Sequence, residues 1–183
     1  MTGTIRIELD DEATQAAFAR LVQAGSQLRP LMQEIGEFLS ETTKQRFQTS
    51  TAPDGSRWAP NTEVTYIRLL ERYKSSFSKK TGKITASGSR RAASKKPLIG
   101  ETGSLSTTIN YRAGSDFVEI GSSMEYAAVQ QFGARQGEFG TTRRGAPIPW
   151  GDIPARPFLG LSADDKAFIT LAARRYLSNA VEG

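Results

Sequence analysis

Apolar positions change their spacing several times along the chain, and each change marks an element. Ile5, Ile7 and Leu9 alternate with polar residues across Thr4 to Leu9, the two-residue period of a half-buried strand. Asp10 and Asp11 come next, suited to capping a helix and to placing negative charge at its start. From Glu12 to Ala24 the period becomes helical and turns Phe18, Leu21 and Val22 inward, with Gly25 as the stop. A longer helix is expected over Arg29 to Gln48, with Pro30 in its first turn and Leu31, Ile35, Phe38, Leu39 and Thr42 on one stripe. Gly36 interrupts that helix at a cost of about 1 kcal/mol relative to alanine, and is read as tolerated rather than as a point of close approach. Pro53-Asp54-Gly55 is a turn with fixed φ, a side-chain cap and a permissive glycine. Trp58 after it is expected to anchor the core. Thr62 to Tyr73 reads as a third helix, with Val64, Ile67, Leu69 and Leu70 supplying apolar contacts.

In the second half, Thr107 to Tyr111 and Phe117 to Gly121 carry strand formers, joined through Ala113 to Asp116 as a hairpin. The chain is organised around the stretch from Ile120 to Gly160. Met124, Ala127, Ala128 and Gln131 share a helical face, and Gly133 stops that short helix. Pro154 and Pro157 stiffen an extended segment that delivers Phe158 and Leu159 as apolar anchors, with Phe158 expected beside Phe132. Ser162 should cap a last helix running to about Ser178, with Asp164 and Asp165 in its first turn and Ile169, Ala172, Ala173 and Tyr176 on its inner stripe. Strands and helices are largely segregated. The fold class is therefore α+β: a small antiparallel sheet packed against a long helix and a C-terminal helix, with long flexible loops, in one domain over residues 1–183.

Charge modifies this picture in one place. The chain carries 24 Lys and Arg against 19 Asp and Glu, a net +5, yet from Arg72 to Lys96 there are nine basic residues and no acid. That segment is rich in Lys, Ser, Arg, Gly and Ala and poor in apolar residues, so it is read as a flexible basic insertion at about 72–96. Lys79, Lys80, Lys83, Arg90, Arg91, Lys95 and Lys96 are its candidate contacts to phosphate or to an acidic partner, and Tyr73 and Phe77 could stack bases. A second long loop, at about 134–152, holds Arg135, Arg143 and Arg144 against Glu138 and Asp152, with Gly137, Gly140 and Gly145 interspersed. Neither loop has the apolar content to fold on itself.

The search for catalysis returns little. Histidine and cysteine are both absent, which removes Ser-His-Asp and Cys-His chemistry, thiolate metal sites and disulfides. Thr81-Gly82-Lys83 lacks the upstream glycine of a phosphate loop. Adjacent Asp10/Asp11 and Asp164/Asp165 are read as helix caps, and Glu101, Glu119 and Glu125 are too scattered to favour a metal site. No catalytic residue, metal or cofactor is expected, and no apolar run is long enough for a membrane helix.

Several blocks stand in a familiar order. After the long helix comes Pro-Asp-Gly-Ser-Arg-Trp-Ala-Pro from Pro53, then Thr-Gly-Ser-Leu from Thr102, then a strand pair ending Ile-Gly-Ser. Tyr-Ala-Ala-Val-Gln-Gln-Phe-Gly from Tyr126 and Ile-Pro-Ala-Arg-Pro-Phe-Leu-Gly from Ile153 complete the set and are its most specific members. Together, over about Ile5 to Ala180, they resemble the virion morphogenesis, or tail completion, family of tailed bacteriophages and prophages. The basic insertion is the part that finds no match. The resemblance implies a non-enzymatic virion component at the head–tail junction or tail end, assembled in the host cytoplasm. Its implied partners are further copies of itself in a ring and other neck or tail proteins, with no membrane. An accessory nucleic-acid-binding protein, in non-specific contact with DNA, is the alternative. The resemblance carries over Tyr126, Phe132, Gly133, Arg156, Pro157 and Phe158, read first as fold residues. Arg156 stands apart, its expected partner an acid, either internal or across a subunit boundary.

Overall fold

The computed structural model describes residues 12–100 and 102–182. The strand expected over Thr4 to Leu9, the caps Asp10 and Asp11, and Glu101 lie outside the described residues. Among the described residues the elements run α1 (Glu12–Ser26), α2 (Arg29–Thr49), α3 (Glu63–Glu71), α4 (Ala86–Ser94), α5 (Ser104–Thr107), β1 (Ile109–Ala113), β2 (Val118–Ser122), α6 (Ala127–Phe132) and α7 (Ala163–Glu182). A single 3-10 turn occupies Lys74–Ser76. The strands form one antiparallel hairpin, so the fold is α+β. Two compact units share the chain: Met1–Ser40, Tyr111–Ile120 and Ala163–Gly183 in one, Glu41–Asn110 and Gly121–Ser162 in the other. Both draw on α2 and on the hairpin, so neither is a continuous stretch of sequence.

In the first unit the α2 stripe is buried as the period predicts. Leu31, Ile35 and Leu39 close on Ala172 of α7, and Val118, Ile120, Phe168, Ile169 and Tyr176 pack around them. Phe38 and Phe168 stack with centroids 3.7 Å apart. Gly36 is not the tolerated interruption expected of it. A Cβ there would lie 2.2 Å from the Tyr111 ring, so the missing side chain is what lets β1 lay its tyrosine on α2. The inward face of α1 keeps Leu21 but otherwise differs from expectation. Phe18 and Val22 are exposed, and the half-buried positions are Thr14, Ala17, Leu21 and Ala24. The contact face runs through Leu21 and the smaller Thr14, Ala17 and Ala24, beside but not including Phe18 and Val22, and Arg20 donates to the Val181 carbonyl at 3.0 Å.

In the second unit Phe47, Trp58, Leu70, Leu105, Ile109 and Phe158 form the buried apolar set. The segment 72–96, expected to lack structure of its own, carries α4 and a turn that pairs Phe77 with Ile84. Its order does not come from large apolar side chains. The Thr85 hydroxyl caps α4 by accepting from the Gly88 amide at 3.1 Å, and the Thr85 amide donates to the Ser76 carbonyl at 2.9 Å. A Cβ at Gly88 would lie 2.5 Å from that carbonyl. Small residues thus let backbone meet backbone, and capping and hydrogen bonds replace apolar burial. The second loop likewise folds on itself. Ala134 pairs with Ile153 and Thr141 with Pro147, while Phe139 and Ile148 amides donate to the Ile148 and Gly140 carbonyls at 2.8 Å each. The result is a narrow two-armed ribbon that turns at Thr142 to Ala146, where the Thr142 amide donates to the Ala146 carbonyl.

Candidate functional site

The two motif blocks meet in a clasp within the second unit. Gly133 ends α6 at φ +78°, its amide donating to the Val129 carbonyl. Just before it, Gln131 receives the closing segment: its Oε1 accepts from the Phe158 and Leu159 amides at 2.9 and 3.0 Å, and its Nε2 donates to the Leu159 carbonyl at 3.0 Å. Arg46 on α2 donates to the Phe158 and Gly160 carbonyls at 2.9 Å each, and the Trp58 indole donates to the Pro157 carbonyl at 2.7 Å. Phe158 itself is 0% exposed. Its ring lies 5.4 Å from that of Phe47, whose other neighbour is Trp58 at 5.3 Å. Phe132 is not its neighbour; at 78% exposure it projects outward. At the end of a short helix whose Gln131 faces the clasp, the next position must point elsewhere.

Arg156 is buried, and its partners are not acidic. Its Nε donates to the Ala59 carbonyl and its terminal nitrogen to the Pro60 carbonyl, both at 2.8 Å. Burial pushes its pKa down, while the nearby Tyr66 acts in the opposite direction. A planar fork suits two adjacent carbonyls as it suits a carboxylate, so within the chain the cation ties the closing segment to the Trp58 loop and takes the place of the internal acid pair.

Beyond the clasp the ribbon shows a different face. Trp150 is 68% exposed, and Phe139 and Ile148 on the same ribbon are exposed as well. Trp150 is nevertheless held at its backbone, since Gln136 Nε2 donates to its carbonyl at 2.8 Å and Asp152 accepts from the Gln136 amide at 2.8 Å. Glu138 accepts from the Arg135 amide at 2.7 Å. Tyr126 is also exposed and lines a depression of about 350 Å³ with Gln130 and Arg156.

The basic residues divide. Arg91, Lys95 and Lys96 line a cleft of about 540 Å³ beside Tyr73, whereas Lys79, Lys80, Lys83 and Arg90 do not line it. Arg91 lies 4.4 Å over the Tyr73 ring, and Phe77 is half-buried in its pairing with Ile84. Phe77 is therefore partly withdrawn from base stacking, whereas Tyr73, 46% exposed, has Arg91 over one of its faces. Among the described residues no group of three or more Asp or Glu could hold a metal ion, and no helix is long and apolar enough to cross a membrane.

A family model described as the phage virion morphogenesis family matches residues 9–178, which includes the clasp, the ribbon and the basic cleft. The chain belongs to that family. No curated protein and no solved structure matches significantly. Membership in the phage virion morphogenesis family makes this a bacteriophage protein with a part in building the particle. Of the residues singled out from sequence, Trp58, Gly133, Arg156, Pro157 and Phe158 converge on the clasp, while Tyr126 and Phe132 do not join it. Sequence reading missed Arg46 and the bridging role of Gln131. Arg46 had a signal available: it is a charged residue four positions after Thr42, on the continuation of the apolar stripe near the helix end. Trp150 had none, because an exposed loop tryptophan carries no periodicity.

Proposed function

We propose that this chain is a structural, non-enzymatic virion protein that completes the tail or joins head to tail, and that it works as a homo-oligomeric ring in contact with other neck or tail proteins. The observation that carries the reading is family membership across residues 9–178. The ribbon supports it. Exposed aromatic residues on a backbone-fixed arm are suited to becoming buried anchors of a protein interface. The ribbon and the segment 72–96 both tighten on assembly in this reading, so their amides should exchange faster in the free subunit than in the ring. The protein gathers in the host cytoplasm before it joins the virion. Two measurements test the proposal together: native mass spectrometry of the purified chain, and electron microscopy of particles from a phage lacking it. A ring of defined stoichiometry and particles with separated heads and tails, or with open tails, are expected. A monomer at every concentration combined with normal particles would overturn it. An accessory nucleic-acid role alone predicts the second pair of results.

A further inference from the structure

The basic cleft belongs to no part of the clasp or ribbon, and its chemistry points to a particular ligand. Two adjoining depressions, of about 540 and 400 Å³, share Leu69, Lys95 and Gly100. Arg68 and Arg72 of the α3 end line one, and Arg91, Lys95 and Lys96 line the other. No described Asp or Glu lines either depression. Five cations thus face a common concavity, and Arg68 lies outside the basic run that composition had singled out. Three of them bond neutral groups. Arg91 donates to the Ser75 hydroxyl at 3.0 Å, Lys95 bonds the Ile99 carbonyl, and Lys96 donates to the Gln48 carbonyl at 2.7 Å. These contacts fix the side chains in place and leave their charge facing the cleft, where concave walls focus the field outward.

The Tyr73 ring carries the Arg91 guanidinium over one face at 4.4 Å and so positions a cation. Tyr73 is the one aromatic lining the two depressions, against five cations, so an array of regularly spaced phosphates fits better than an unpaired strand, whose bases would need a series of stacking faces. A carboxylate surface from a second copy fits less well. The first unit, the more acidic one with seven Lys and Arg against eleven Asp and Glu, already commits Glu34 to Arg175 and Glu119 to Arg112. The second unit has seventeen basic residues against eight acidic ones, and the cleft lies within it.

We infer that the cleft between α3 and α4 binds the phosphate backbone of duplex DNA, without regard to sequence. The inference stands on the cleft's chemistry. The proposed head–tail or tail-end role supplies only the occasion, DNA inside the particle. Each phosphate neutralised adds a slope of about −0.9 to the dependence of log affinity on log salt.

The test is fluorescence anisotropy of the full chain with a labelled 20-base-pair duplex across a salt series. Three variants accompany it: Arg68→Ala with Lys96→Ala, Arg68→Lys with Lys96→Arg, and Arg143→Ala with Arg144→Ala at the ribbon tip. The first should flatten the salt slope by about 2. The second should keep the parent slope, and the third, with the same net charge as the first, should keep it too. No duplex binding by the parent chain would overturn the inference, as would equal loss in the first and third variants. Tighter binding of a single strand of the same length would overturn the duplex assignment. Parental DNA binding by the first variant, with its oligomer mass altered in native mass spectrometry, would reassign the cleft to a protein partner. Rings and particles that remain normal while DNA binding is absent would leave the proposed structural role intact and remove this inference alone.

Discussion

The clasp around Phe158 and the ribbon beyond Gly133 are neighbours in sequence and opposites in composition of surface. In the clasp, side chains from four separate places, Arg46, Trp58, Gln131 and Arg156, bond the backbone of two loops, and the central ring is fully buried. In the ribbon the backbone bonds itself, and the large side chains Phe139 and Trp150 face outward. The clasp uses its side chains to hold the fold. The ribbon needs few of its side chains for that purpose, which frees the aromatic ones for contact with another surface. A family-matched motif can therefore contain two kinds of residue, and burial separates them where sequence identity does not.

The sharpest way to break this contrast is to truncate one aromatic from each region. Phe158→Ala should destabilise the protein by roughly 3–5 kcal/mol, through lost burial and a cavity beside Phe47. Trp150→Ala should change monomer stability by no more than about 0.5 kcal/mol. Urea denaturation of both variants gives the comparison directly. Similar losses would mean that the ribbon is a core element and that its exposure is not functional.

The polar half of the clasp comes next. Arg46→Met and Arg156→Met each remove the donor for two carbonyls and should cost about 1–3 kcal/mol apiece. Arg156→Lys should recover only part of that loss, since one ammonium cannot reproduce the fork that reaches the Ala59 and Pro60 carbonyls together. Full recovery by lysine would show that charge, not bidentate geometry, holds the segment.

Much of the clasp was legible from sequence because proline, glycine and aromatic residues carry local signals. Trp58 and Phe158 as anchors and Gly133 as a helix stop follow from such signals, and outside the clasp helical periodicity likewise gave α7 its inner stripe. Pairing at a distance could not be read. Arg46 and Phe158 are 112 residues apart, and neither residue announces the other. The same applies to Gly36, whose use depends on a tyrosine in β1. The segment 72–96 misled for another reason. Its composition predicts too little apolar burial to fold, but caps and close backbone contacts supplied the order instead. The cleft was half legible: the run of lysines and arginines was plain, whereas Arg68 joins it only once α3 and α4 are placed.

On the ribbon itself, the larger expected effect is on association. Trp150→Ala should weaken subunit or partner binding at least tenfold, about 1.4 kcal/mol, if the indole becomes a buried anchor. Sedimentation velocity across a concentration series reads this. An unchanged oligomer distribution would move the contact to Phe139, Phe132 or Tyr126, which are also exposed.

Asp152→Asn should have the smallest effect on stability and is the finest probe of the contrast. The Asp152 carboxylate accepts from the Gln136 amide, and Gln136 in turn donates to the Trp150 carbonyl, so the acid fixes the tryptophan through one intermediary. Asparagine can still accept through its amide oxygen but as a neutral and weaker acceptor. Because the site is exposed, the change in stability should stay below about 0.5 kcal/mol. The consequence should show instead in presentation: faster amide exchange at Gln136, and association weaker than the parent's but stronger than that of Trp150→Ala. Hydrogen exchange and sedimentation on the same sample separate the two effects. Weaker association with Gln136 exchange unchanged would mean that Asp152 touches the partner directly. Faster exchange with association unchanged would mean that the ribbon need not be held in advance, and that the partner orders it on contact.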